Sequence, residues 1–240
     1  MKFKLTALEK KWVLYDVGNS AFILLVSTII PIYFNYLAEN ADISAVNYLA
    51  YWGYAASVAT ILVALIGPIA GTISDTKNYK KKFFLLSIGI GIAGCIILGF
   101  IHSWIWFLGI FILTKVGYSS ANIFYDSMLT DITVPERMDK VSSHGYAWGY
   151  IGSCIPVGVC LWLSLGHGTL GIPLVAAMAA VFLITALWWA ASSILLLKQY
   201  RQVHFAEEGG RPVRDSLKRL GQTFLQVKKQ KHIFVFLLAF

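Results

Sequence analysis

Charge is what this sequence most lacks. Asp, Glu, Lys and Arg together make up 13% of its 240 residues, about half the share of an ordinary soluble domain. That scarcity excludes a water-soluble globule, and 58% hydrophobic residues with a mean hydropathy of +0.67 point to an integral membrane protein. Cysteine is scarce too. Cys95, Cys154 and Cys160 lie inside apolar runs without Cys-x-x-Cys spacing, which excludes a disulfide framework and a zinc site and leaves buried thiols. There are 12 acidic residues against 20 basic ones, a net charge of +8. The surplus sits in short blocks between apolar runs, the pattern of loops on one face of a membrane, so no nucleic-acid partner is expected. Walker A, His-Glu-x-x-His and Gly-x-Ser-x-Gly patterns are all missing. ATP drive within the chain and these forms of hydrolytic catalysis are therefore not expected, and no cofactor is implied.

What is present is six long apolar runs, at residues 13–38, 47–73, 83–101, 104–130, 143–165 and 171–197. Each approaches or exceeds the roughly 20 residues that span about 30 Å of hydrocarbon as a helix. The first is too long for a signal-peptide core and has no Ala-x-Ala site after it, so it is expected to stay as an uncleaved span. The expected fold is all-α, a six-transmembrane-helix bundle over residues 1–198. A seventh run, 233–240, reaches only about 12 Å and reads as the start of a truncated seventh helix. Between them, residues 199–232 form a connector in which Gly209, Gly210 and Pro212 break the helix leaving span six. Val213, Leu217, Leu220, Phe224 and Val227 then recur at helical spacing among basic residues, the pattern of an amphipathic helix lying on the membrane face.

Nineteen of the 20 basic residues fall on one side of these spans. They precede span one, separate spans two and three (Lys77, Lys80, Lys81, Lys82), separate four and five (Arg137, Lys140), or follow span six. The positive-inside rule makes that side, and the amino terminus, cytoplasmic.

The remaining base, Lys115, lies within span four. Counting from Trp104 as an interfacial anchor puts it about 16 Å deep, near the bilayer centre. A cation there costs about 2.5–3.5 kcal/mol even on insertion scales, and persists with water or a partner. Lys115, Asn122 and Asp126 fall within about 40° on one helix face, with Ser119 close by. On span one Asp16 and Ser20 form a second stripe with Asn19 beside it. Such stripes face protein or water. Asp16 and Asp126 lie near the inner interface, where a substrate or proton-coupling role competes with pairing to surface lysines, or, for Asp16, with a favourable helix dipole. His144 at the start of span five is a weaker proton-relay candidate.

Two further patterns concern packing. Gly145, Gly149 and Ser153 recur every four residues on span five around Pro156, a small-residue face with an expected kink. In "GPIAGTISDTKNYKKKFF" (67–84), Gly67 and Gly71 share a face of span two, and Asp75 and a basic cluster follow.

That last stretch resembles the loop between helices two and three of the major facilitator superfamily. The resemblance implies a gating latch at Gly71, Asp75, Lys80 and Lys81, with Asn78 in place of the usual turn glycine, since Asn tolerates the left-handed conformation. "YDVGNSAF" (15–22), "FYDSMLTDI" (124–132) and "VSSHGYAWGYIG" (141–152), in that order, resemble the vacuole effluxer-like branch, which includes an autophagy-linked amino-acid effluxer and many bacterial members. The chain departs at Val17, where relatives often carry tryptophan. The resemblance implies the N-terminal half of a twelve-helix transporter in a bacterial cell membrane. Its partners would be a missing C-terminal six-helix half, the lipid bilayer and a small solute, amino acids foremost. In that fold helices one and four line a central cavity, so the two polar stripes would face each other across it. The alternative is a six-helix membrane scaffold or assembly subunit without transport.

Overall fold

The computed structural model describes residues 3–206, together with 218, 221 and 222. The expected amphipathic helix of the connector and the expected start of a seventh helix lie outside the described residues, apart from isolated positions. Six helices run α1 (Ala7–Glu39), α2 (Ala45–Ser74), α3 (Tyr79–Leu98), α4 (Trp104–Ile132), α5 (Pro135–Gly166) and α6 (Leu174–Gln199). All six are long and apolar enough to cross a membrane. The fold is an all-α six-helix bundle.

The helix ends follow local chemistry. Thr6 caps α1 in a capping box: its hydroxyl accepts from the Glu9 N–H, and the Glu9 carboxylate accepts from the Thr6 N–H. Ser44 caps α2, and Pro135 opens α5 at a position where its missing N–H leaves no bond unmade. Between α2 and α3, Asn78 takes φ 67°, the left-handed turn that glycine usually supplies.

α1 packs chiefly on α5 and α6, while α4 packs on α3 and α2. The α1–α4 seam therefore lies at the centre, flanked by α5 on one side and α2 on the other. The core is strongly aromatic, with Tyr15, Phe22, Tyr33, Phe34, Phe84, Phe107, Phe182 and Trp189 all fully buried. Small residues bring α3 and α4 together. A Cβ on Gly117 would lie 2.7 Å from the Gly91 nitrogen and 2.9 Å from the Ser87 carbonyl oxygen, so only a bare glycine fits there.

Candidate functional site: a polar cavity between α1, α4 and α5

The two polar stripes meet directly. Asn19 Nδ2 on α1 donates to Asn122 Oδ1 on α4 at 2.6 Å. Toward the basic end, about two turns along α1 and one along α4, Trp12 and Tyr125 stack with ring centroids 4.3 Å apart. Each also bonds the other's backbone: the Trp12 indole donates to the Tyr125 carbonyl at 3.2 Å, and the Tyr125 hydroxyl donates to the Trp12 carbonyl at 3.1 Å. Buried polar contacts of this kind fix the axial register of two helices that apolar packing alone would leave free to slide.

Beside this seam lies a cavity of about 220 Å³. α1 contributes Trp12, Asp16, Asn19, Ser20 and Ile23 to its wall, α4 contributes Tyr118, Asn122, Tyr125 and Asp126, and α5 contributes Ser142, Tyr146 and Tyr150. Five of the seven sequence-identified cavity candidates thus come together. The wall holds two carboxylates, two amides, hydroxyls and aromatic rings, with no lysine or arginine among the described residues. Asp16 is within reach of Ser20, whose hydroxyl donates to it at 3.5 Å.

Lys115 and Ser119 are not among the lining residues. Lys115 is half-buried on α4, its ammonium 5.4 Å from the centre of the Tyr118 ring, a cation–π distance. Tyr118 itself lines the cavity, so Lys115 stands one side chain behind the wall.

The glycines of α5 set the cavity's shape. A Cβ on Gly149 would lie 2.9 Å from Asp16 Oδ2 and 3.0 Å from Ser20 Oγ, and one on Gly145 would lie 2.8 Å from the Trp12 ring. The bare backbone of α5 therefore presses against the acid of α1. Ser153, a turn further on, is fully buried and donates to the Tyr150 carbonyl at 3.0 Å. Gly67 on α2 lies against α4, where a Cβ would meet Ile123 at 2.9 Å. A Cβ on Gly71 would meet no neighbour within 4 Å among the described residues.

The basic end of the bundle holds two further clusters. Lys80 turns inward at 3% exposure, its Nζ donating at 3.2 Å to both Asp131 Oδ2 and the Ser127 carbonyl. Asp131, with no exposed side-chain surface, also accepts from the Tyr200 hydroxyl at 2.6 Å and from the backbone N–H groups of Val203 and His204 at 3.1 and 2.7 Å. Burial, and then the adjacent Asp131, push the Tyr200 hydroxyl well above its usual titration range, so it serves as a donor. Asp75 caps α2 with its N–H on the Gly71 carbonyl, and its own carbonyl accepts from the Ala206 N–H at 2.9 Å. Lys81 is exposed and lines a separate groove. In the second cluster, Arg137 grips Glu9 with two bonds of 2.8 and 2.7 Å, and Thr133 adds a third at 2.7 Å.

Sequence reasoning missed Asp131, Glu9, Tyr118, Tyr146 and Tyr150. Asp131 sits five residues beyond Asp126, about 140° round the helix, and so falls off the polar stripe. Glu9 was visible as the last residue of Thr-x-x-Glu, and Tyr146 and Tyr150 as an i, i+4 pair.

The chain matches the family described as "Vacuole effluxer Atg22 like" over residues 8–240. It is 37% identical over 245 residues to a Bacillus subtilis (strain 168) protein named "Uncharacterized MFS-type transporter YxiO". That match covers all of this chain and 57% of the relative. No solved structure matches the chain.

Proposed function

The chain belongs to the vacuole effluxer Atg22-like family, and on that premise we propose that it forms the N-terminal half of a secondary transporter moving a small solute, amino acids foremost, by alternating access. The observation that carries this reading is the acid-bearing cavity on the α1–α4 seam, in a bundle of six membrane-crossing helices. A second six-helix half would close the site from the other side, and rocking of the halves would expose it to each face in turn.

In this reading the basic end faces the cytoplasm of a bacterial cell. Asp16 and Asp126 receive the ammonium group of the solute, or a coupled proton. The aromatic rings of Tyr118, Tyr146 and Tyr150 supply cation–π surface beside them. Lys115 lies behind Tyr118 and takes the solute's anionic end when that ring swings aside, which suits a zwitterion. Gly71, Asp75 and Lys81 act at the gate toward the second half. The buried Lys80–Asp131 and Glu9–Arg137 pairs hold the helix ends together as one moving body.

The test is flux of labelled amino acids into proteoliposomes carrying the full-length protein. Asp16→Asn is expected to reduce flux at least tenfold with expression retained, and Lys115→Met to abolish solute binding. Wild-type flux and binding in both variants would remove the assignment.

A further inference from the structure

A second groove, of about 590 Å³, opens at the basic end between the start of α3 and the segment just past α6. Lys81 and Lys82 at the start of α3 and Arg201 just past α6 supply three cations to its wall, and no acidic residue lines it among the described residues. Among the described residues none of the three makes an ion pair. The acid behind the wall, Asp131, is already held by Lys80, Tyr200 and two backbone N–H groups. Among the described residues the groove is therefore a concentration of positive charge without an acidic partner.

Its apolar side is as informative. Leu85 lies one turn along α3 from Lys81, on the same face, and is 55% exposed. Its neighbour Leu86 is 60% exposed. A ligand seated on the three cations would have an apolar track running from them into the span.

We propose that this groove binds the phosphate group of an anionic phospholipid, with an acyl chain lying along Leu85 and Leu86. The shared chemistry is a phosphate met by three basic side chains. The exposed leucines favour a lipid over a soluble phosphate, which would gain nothing from them. Basic pockets between transmembrane helix ends bind lipid headgroups through this combination of charge and apolar contact.

The groove also touches the buried cluster beside it. Tyr200 and Gln202 both line it. Tyr200 donates to Asp131, while Gln202 accepts from the Lys80 N–H at 3.4 Å and donates to the Ser74 carbonyl at 3.2 Å. An occupied headgroup site thus braces the junction of α2, α3 and the segment after α6.

The experiment is lipid titration of the full-length protein in detergent, read by native mass spectrometry, with phosphatidylglycerol, phosphatidylcholine and inorganic phosphate as probes. Phosphatidylglycerol is expected to bind in preference to phosphatidylcholine, and the triple variant K81Q/K82Q/R201Q to weaken it by about tenfold or more. The charge-keeping variant K81R/K82R/R201K is expected to retain the affinity, which separates lost binding from lost folding. K10Q/K11Q, basic residues elsewhere on the same end, is expected to leave it unchanged. Equal binding of the two lipids, equal affinity in the triple variant, or an equal loss in K10Q/K11Q would overturn the site. Displacement of phosphatidylglycerol by millimolar inorganic phosphate would overturn the lipid assignment and give the groove to a soluble phosphate.

Discussion

At the scale of single residues, the polar groups on α1 and α4 were legible because helical geometry is simple. Residues seven and eleven apart share a face, and polar faces on membrane helices avoid lipid. That argument found Asp16, Asn19, Asn122 and Asp126, all of which line one cavity. Which amide would bond which was not legible, since it depends on the axial offset of two helices distant in sequence. The Asn19–Asn122 bond of 2.6 Å gives a direct test. Asn19→Leu and Asn122→Leu each leave the other amide without this partner, at a cost of about 1–3 kcal/mol. The double variant should lose less than the two singles combined. Thermal unfolding of the full-length protein in detergent measures this coupling, and strict additivity would mean that the bond contributes nothing.

At the scale of elements, composition alone delimited the six helices, because spans must be long and apolar. Most of their ends extend beyond the apolar runs, although α3 stops at Leu98, short of 101, and α6 starts at Leu174, after 171. α5 begins at Pro135, before the apolar run at 143, because amphipathic turns near the membrane surface need no apolar majority. The four-residue spacing put Gly145 and Gly149 on a packing face, but what each glycine of α5 would meet depended on neighbours distant in sequence. In the structure Gly149 abuts Asp16 and Ser20, while among the described residues no neighbour lies within 4 Å of a Cβ at Gly158. Gly149→Val should therefore push α5 off α1 and reduce solute binding and stability together, by about 1–3 kcal/mol for the latter. Gly158→Ala should be neutral or stabilising by up to about 1 kcal/mol, as alanine replaces glycine in a helix. Melting temperatures of the two variants decide it, and equal losses would refute the assignment of Gly149 to a helix contact that shapes the cavity.

At the scale of the whole molecule, the basic end combines two kinds of charge with different burdens. Lys80 and Asp131 are buried and tie α3 to α4 and, through Tyr200, to the end of α6. Asp75 is exposed at the end of α2, where a second half could meet it. A buried pair broken from one side leaves an uncompensated charge and costs about 3–5 kcal/mol, so Lys80→Met should lower the melting temperature sharply. Lys80→Met combined with Asp131→Leu should recover part of that loss, because no lone charge remains. If Asp75 belongs to a gate between halves, its substitution acts on the exchange of states and not on the cavity, which is lined by α1, α4 and α5. Solute affinity in full-length Asp75→Asn should then match wild type while the flux rate falls several-fold. Equilibrium binding and initial-rate flux on the same preparation separate the two. A collapse of affinity with normal flux per bound solute would move Asp75 out of the gate and into the binding machinery.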